Sequence, residues 1–449
     1  MLDALIRRFD LRLPRYTSYP TAPYFHPGVD AEVYSARLSR LDAERAVSLY
    51  LHVPFCEKLC WYCACNTKIV ARYAPVAAFA ETLAREIALV ASHASGRLSV
   101  AHVHWGGGTP TMLTPVDFAE LSDHLRRQFD VAGDAEIAIE IDPRTLSADM
   151  ARTLAACGVN RASLGVQDFD QAVQAAINRM QPYCVTKQAV ESLRKVGIDR
   201  INFDLIYGLP QQTTAGVIAT VDGAVELAPD RLAVFGYAHV PWMKKHQRMI
   251  DETTLPDAHA RWDQSQAMAR RLEEHGYVAI GLDHFARPDD AMTIHAREGT
   301  LRRNFQGYTT DRAEALLGFG PSSIGAFADA YVQNAGETRA WHQAIGAGAL
   351  ATRRGVVLDA DDRLRRAAIE RIMCDDAVDM AVVATTHGFG ARYFAPEIAA
   401  LAPLAADGLL RIDGARVLLT PLGRKLRRAV AARFDRYLGI DRSRHARAV

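Results

Sequence analysis

Tyr50-Leu51-His52-Val53-Pro54-Phe55-Cys56-Glu57-Lys58-Leu59-Cys60-Trp61-Tyr62-Cys63-Ala64-Cys65 gathers four of the chain's 7 cysteines into ten positions, directly behind an apolar, strand-like run. A C-x3-C-x2-C spacing puts three thiolates on one short loop, enough to hold three irons of a cubane iron–sulfur cluster and leave the fourth iron open. A chelating amino acid on that open iron can then receive electrons from the cluster. Structural zinc is the competing reading, but zinc knuckles usually come in pairs well apart in the chain, and no second one occurs. A disulfide framework is weaker still, because Cys157, Cys184 and Cys374 are scattered singly and read as ordinary core residues.

At 449 residues the chain has room for two or three domains and a large core. With 49% hydrophobic and 23% charged residues it has the composition of a soluble globular protein. Charges within residues 1–10 interrupt what a secretory signal would need as an apolar core, and no apolar run approaches a membrane span. The expectation is a cytoplasmic protein with no membrane partner. A net charge of +1 gives no electrostatic case for nucleic acid as a partner. The basic residues Arg424, Lys425, Arg427, Arg428, Arg433 and Arg436 read as a solvated helix face rather than a nucleic-acid patch.

From Ala46 onward, short apolar runs alternate with amphipathic segments. Strands are expected over 47–53, 100–105, 136–141, 162–166, 201–206, 232–237 and 278–282. Between the first two, Phe79, Leu83, Ile87 and Val90 recur at helical spacing, and Thr114-Pro115 marks a helix start ahead of Phe118, Leu121 and Leu125. Six or seven strand–helix units predict an α/β fold built on a full or partial parallel barrel. The polar residues Gly106-Gly107-Gly108-Thr109, Glu140, Asp142, Gln167, Asp168, Asp204 and His239 fall at or near carboxyl ends of the strands, where such a barrel builds its site. Alternation along residues 136–142 puts Ala138, Glu140 and Asp142 on one face. A carboxylate turned into a barrel needs a cation or donor, and Asp204 poses the same demand. The glycines permit close backbone approach, and their amides can meet a carboxylate.

After Asp283-His284-Phe285-Ala286-Arg287-Pro288 the rhythm fails. Asn304-Phe305-Gln306-Gly307-Tyr308-Thr309-Thr310 and Leu317-Gly318-Phe319-Gly320-Pro321-Ser322-Ser323-Ile324 read as a segment covering the rim. The leading stretch Arg15 to Pro23 reads as a loop. From about Arg354, helices and a hairpin at Asp413-Gly414 predict a small, mainly helical, winged-helix-like domain. The expected division is an arm over residues 1–35, a barrel domain with its cover over 36–350, and the C-terminal domain over 351–449.

The arm Arg15-Tyr16-Thr17-Ser18-Tyr19-Pro20-Thr21-Ala22, the cysteine loop ending in Cys65, Trp105-Gly106-Gly107-Gly108-Thr109-Pro110, Gly165-Val166-Gln167-Asp168-Phe169, the run from Asp204 to Pro210, the run from Asp283 to Pro288 and the run from Asn304 to Thr310 occur together. Over almost its whole length the chain resembles the oxygen-independent coproporphyrinogen III oxidase family of radical S-adenosylmethionine (SAM) enzymes. The resemblance implies a partial parallel barrel of the radical SAM type, with Cys56, Cys60 and Cys63 ligating one [4Fe-4S] cluster. It implies that Cys65 lies near the site without being a ligand and acts in catalysis together with Phe305 and Gln306. Two SAM molecules are expected against Tyr50, Tyr62, Gly107, Gly108, Thr109, Glu140, Gln167, Arg179, Asp204, Ala238 and Ile324.

The implied reaction, in haem synthesis, takes a hydrogen from the β-carbon of a substrate propionate through a 5′-deoxyadenosyl radical, then releases carbon dioxide and one electron to leave a vinyl group. Performed on two propionates, it converts coproporphyrinogen III to protoporphyrinogen IX. A flavodoxin or ferredoxin is expected as electron donor, and a monomer as the oligomeric state. The arm would close the site, and Arg302 or Arg303 in the cover is expected to pair with substrate carboxylates. Two rival readings are a radical SAM-type haem chaperone without turnover, whose relatives generally lack the arm and the Cys-x-Cys ending, and a zinc-stabilised nucleic-acid-binding protein.

Overall fold

The computed structural model describes residues 2–439; Met1 and residues 440–449, which the sequence assigns to the arm and the C-terminal domain, lie outside them. Six strands, β1 (Val47–Val53), β2 (Ser99–Gly107), β3 (Asp130–Ile141), β4 (Arg161–Gln167), β5 (Arg200–Tyr207) and β6 (Arg231–Gly236), lie next to one another in that order, all parallel. The helices that follow them in turn are α1 (Ala74–Ser92), α2 (Pro115–Gln128), α3 (Ala148–Ala156), α4 (Tyr183–Lys195), α5 (Thr214–Glu226) and α6 (Ala258–Glu274). Val47, Leu49, Leu51 and Val53 on β1 and Phe79, Leu83 and Ile87 on α1 are all fully buried in one core, where the period-two and period-3.6 patterns meet. α2 starts as its sequence predicts, with Thr114 Oγ1 accepting from the Asp117 amide and Pro115 in the first turn.

The seventh unit departs from the expected pattern. β7 (Val278–Ile280) and β8 (His284–Ala286) are antiparallel to each other, and β8 lies antiparallel on β6. Only Gly281, Leu282 and Asp283 link them, too short a connection for the crossover that a parallel pair needs. The stretch after Leu316, expected to be cover, instead supplies β9 (Leu316–Phe319), parallel to β1, followed by β10 (Ile324–Ala326), β11 (Ala330–Asn334) and β12 (Thr352–Val357), each antiparallel to the one before. Among the described residues, twelve strands form one sheet in the order β12-β11-β10-β9-β1-β2-β3-β4-β5-β6-β8-β7, which does not close on itself. The hairpin of Arg302–Asn304 and Gly307–Thr309 bridges the two sides. Its Tyr308 meets His284 of β8 edge-on at 5.3 Å, and Asp311 just beyond accepts from Ser48 Oγ of β1 at 2.5 Å.

A second apolar core begins after β12. It joins Leu364, Ile372, Val378, Leu404 and Val430 to Ile6, Phe9, Leu13, Tyr16 and Tyr19 of the arm. The arm, which begins with a helix at Leu2–Phe9, therefore shares the core of the C-terminal region. The expected hairpin is present, with Leu410–Asp413 and Arg416–Leu419 turning through Gly414 at φ +58° and Ala415. The basic residues near the C-terminus divide: Arg424, Lys425, Arg433 and Arg436 are exposed, as a solvated face requires, whereas Arg427 and Arg428 are buried. Arg427 is 2% exposed and donates to the carbonyls of Met373 and Arg424 and to Asp376, buried Arg428 donates to Leu13, and Arg436 pairs with Asp359, Asp361 and Asp362. Main-chain acceptors at element ends, with Asp376, have drawn the guanidiniums of Arg427 and Arg428 inward. Cys184, read as a core residue, is exposed in the first turn of α4, whereas Cys157 and Cys374 are buried. No helix among the described residues is long and apolar enough to cross a membrane.

One buried acid makes stability depend on pH. Glu86 on α1 accepts from the Gly320 amide at 2.6 Å and from Asn334 Nδ2 at 2.7 Å, and burial pushes its carboxyl up to about 7 despite these donors. The unfolded chain releases that proton near its ordinary value of 4.5, so between the two values the folded state binds more protons. The contribution is full below about pH 4.5 and is lost as pH rises through about 7, amounting to roughly 3 kcal/mol. Denaturant unfolding of the parent is expected to weaken by that much relative to Glu86→Gln across this window; parallel pH profiles would disprove it.

Candidate active site

The cysteine loop leaves β1 and folds back so that Phe55–Cys56 pairs with Lys68–Ile69. Its backbone is held from two sides. From the β4–α4 connection, Asn178 Nδ2 donates to the Leu59 carbonyl (2.8 Å) and the Ile177 carbonyl accepts from the Trp61 amide (3.0 Å). From a turn beyond β6, Gln247 Nε2 donates to the Tyr62 carbonyl (2.9 Å), His246 Nε2 bonds the Cys63 carbonyl (2.7 Å) and Lys244 Nζ donates to the Cys65 carbonyl (2.8 Å). Gln247 is wholly buried and also bonds the Ala238 carbonyl and the Val240 amide. Sequence reasoning misses this clamp, because nothing local distinguishes Lys244-Lys245-His246-Gln247 from a polar surface turn.

The sulfurs sit among donors. Thr109 Oγ1 is 3.5 Å from Cys56 Sγ, while Arg179 and Arg144 reach Cys60 Sγ at 3.4 and 3.6 Å. Such donors favour sulfur that carries negative charge. A bond from the Cys65 thiol holds Cys63 down to about 6 and pushes Cys65 itself well up. Among the described residues no three His, Cys, Asp or Glu side chains converge as a single metal ion requires. A cubane takes one thiolate per iron, so Cys56, Cys60 and Cys63 on one loop, with N–H and O–H donors near two of their sulfurs, fit it.

Beside the loop, the strand register assembles the polar rim. Tyr50 lies opposite His104, which lies opposite Ala138, and Gly165 lies opposite Asp204. Glu140 accepts from the Gly107 amide (2.9 Å) and bonds His104 Nε2 (3.1 Å), whose ring stacks on Tyr50. Burial opposes its ionisation, but His104, Gly107 and His52 outweigh it and hold Glu140 below the usual carboxylate range. Asp204 differs. Burial and the neighbouring Glu140 push it up to about 7, against the bond from Ser163 Oγ (3.3 Å) and the nearby charges of His104 and Arg179. Asp142 is clasped by Arg144 at 2.6 Å and Arg179 at 3.3 Å, which outweigh its burial and hold it ionised beside Cys60.

The glycine triplet acts otherwise than expected. A Cβ on Gly106 would lie 2.7 Å from Glu140, and one on Gly108 would lie 2.6 Å from the Phe55 carbonyl oxygen, so bare backbone is needed. The amides of 107, 108 and 109, however, already donate to Glu140, Val53 and Phe55. The amide of Gly107 carries the protein's own carboxylate and the other two carry main-chain carbonyls, because the close approach of two strand ends lets them pair within the fold.

Gln167 is buried at φ +69°, its amide group beside Arg179 next to Gly165, and Ala238 receives Gln247. Phe305 and Ile324 lie together in a small apolar cluster with Ala22 and Phe25 of the arm, so the cover and the arm do meet. Gln306 faces a cavity of about 220 Å³ inside the strands, which Glu140 and Asp204 also line. Asp168, read as a rim residue, is an internal strut bonded to Gln212 and Thr220. Arg302 is exposed, whereas Arg303 stacks over Tyr308 at 4.4 Å and donates to the Arg15 carbonyl. A larger cavity of about 820 Å³ lies between α6, β7 and the C-terminal region and touches none of the cysteine loop.

The Radical SAM superfamily model matches residues 50–223, and the HemN C-terminal domain model matches residues 358–426. An oxygen-independent coproporphyrinogen III oxidase of Bradyrhizobium diazoefficiens is 55% identical over 447 residues, covering 100% of this chain and 99% of that one. The protein of the same name from Escherichia coli is 41% identical, covering 97% and 95%. The solved structure of coproporphyrinogen III oxidase (HemN) from Escherichia coli, described as a radical SAM enzyme, superposes with a TM-score of 0.91 at 40% identity, covering 97% of this chain and 98% of that one.

Proposed function

Since the chain belongs to the oxygen-independent coproporphyrinogen III oxidase family, we propose that the site removes hydrogen and carbon dioxide from two propionates of coproporphyrinogen III and leaves the vinyl groups of protoporphyrinogen IX. The observation that carries this reading is the three-thiol loop with donors at its sulfurs, set beside a rim of ionised and half-buried carboxyls. A [4Fe-4S] cluster and SAM serve the reaction, and when bound they supply the one-electron cleavage whose carbon radical takes the propionate hydrogen.

Cys56, Cys60 and Cys63 hold the cluster, and Arg144 and Arg179 offset its negative charge at Cys60. Two SAM molecules are received. Tyr50, Tyr62, Gly107, Gly108, Thr109, Glu140, Gln167, Arg179, Asp204, Ala238 and Ile324 receive them. Glu140, ionised and braced by His104, offers oxygen to an ammonium group. Cys65, Phe305 and Gln306 complete the catalytic surroundings, and the arm over residues 1–35 with the cover excludes water from the radical. The division into arm, barrel domain and C-terminal domain serves that closure. A flavodoxin or ferredoxin supplies the electron, and the protein acts as a monomer in the cytoplasm.

Anaerobic reconstitution followed by mass analysis of the product tests this directly: one product that has lost two carbon dioxides and carries two vinyl groups is expected, with methionine released. Substrate recovered unchanged while the protein retains haem would support the chaperone instead. In the same assay Arg303→Ala is expected to raise the KM for coproporphyrinogen III about tenfold, and Arg302→Ala to leave it unchanged.

A further inference from the structure

Large apolar side chains exposed to solvent concentrate around the cysteine loop. Trp242 (52% exposed), Met243 (60%) and Met249 (60%) flank the turn that clamps it, and Met180 (51%) follows Arg179, whose guanidinium touches Cys60 Sγ. The same surface is rich in cations. Lys58 stands exposed between Cys56 and Cys60, Lys245 and Arg248 stand exposed in the turn, and Arg12 of the arm stacks over Trp242 at 4.7 Å. Acids are fewer: Glu57 within the loop, and Asp251 and Glu252 beyond the turn, of which Glu252 is paired with His239.

An apolar patch set among like charges marks a protein-docking surface, and Trp, Met and Arg are the residues enriched at such contacts. Its place is informative as well. The clamp bonds join the turn to the carbonyls of Tyr62, Cys63 and Cys65, so a partner seated on Trp242 and Met249 lies against the loop that holds the cluster.

We propose that Trp242, Met243, Met249 and Met180, with Lys58, Lys245 and Arg248 around them, form the docking surface for a small acidic protein that carries one electron at a time. The proposal rests on the function inferred above. In each docking event the carrier is oxidised by one electron and the cluster is reduced by that electron. Opposite charge speeds the encounter, and a small contact area lets the spent carrier leave, as repeated delivery demands.

The test compares the reconstituted holoenzyme with Lys245→Glu/Arg248→Glu and with Trp242→Ala, using reduced flavodoxin as probe. Calorimetry is expected to show flavodoxin Kd at least about tenfold weaker for the double variant at low ionic strength, with the gap closing as salt rises. Trp242→Ala is expected to weaken binding at every salt concentration. Cluster absorbance and dithionite-driven turnover are expected to match the parent in both. Parent-like flavodoxin binding in both variants overturns the proposal. A raised KM for coproporphyrinogen III in the dithionite assay, with flavodoxin binding intact, reassigns the surface to the anionic substrate. If the parent protein itself shows no dithionite-driven turnover, the functional reading fails first and the docking proposal falls with it.

Discussion

Cys60→Ala protein, purified and reconstituted without oxygen, is expected to lack the brown cluster absorption and to turn over at least roughly a hundredfold more slowly than the parent. Cys60 has two cations at its sulfur, with Arg144 and Arg179 both within 3.6 Å, so its removal also takes away an acceptor that those guanidiniums share with Asp142. Cys65→Ser is the contrasting case. Its thiol donates to Cys63 rather than standing apart as an independent ligand, so this variant is expected to keep the cluster absorption and lose rate. Iron and sulfide analysis of both proteins decides the matter: loss of the cluster in Cys65→Ser would mean that all four thiols are ligands, leaving no open iron for SAM.

Gln247→Leu is expected to produce the second large effect, although the side chain touches no sulfur. The substitution leaves the Tyr62 and Ala238 carbonyls and the Val240 amide without their buried partner. Unsatisfied buried groups of this kind cost about 1–3 kcal/mol each, so the apo-protein is expected to lose roughly 3 kcal/mol or more. The loop is also freed on the side of Cys63. Iron release to a chelator is therefore expected to quicken about tenfold or more, a readout that simple loss of packing elsewhere would not give. Release at the parent's rate, in a variant that is destabilised, would reduce Gln247 to a structural strut.

Much of this molecule is legible without coordinates wherever the signal is local. The alternation Glu136 to Asp142 predicts that Glu140 and Asp142 share a face, and both stand on the rim with cations or donors beside them. Thr114-Pro115 predicts a helix start, and one occurs there. Legibility fails where the deciding partner is far along the chain. β9 has no local feature marking it as a parallel neighbour of β1, more than 260 residues earlier in the sequence. Arg427 looks like a surface charge until Asp376 and the Met373 carbonyl are seen to enclose it. The glycine amides look free until Glu140 is seen to occupy the one at 107.

The amino-acid order by itself determined the thiol spacing, the strand–helix alternation and the positions of the rim carboxyls, because each depends on backbone geometry repeating every two or 3.6 residues. The tertiary structure alone decided which of those carboxyls is ionised, since Glu140 has His104 and an amide while Asp204 has Glu140 for a neighbour. It also decided that Lys244, His246 and Gln247 hold the cysteine loop. Charge state and clamping both depend on what lies within a few ångströms in space, and that distance is set only when the sheet has folded.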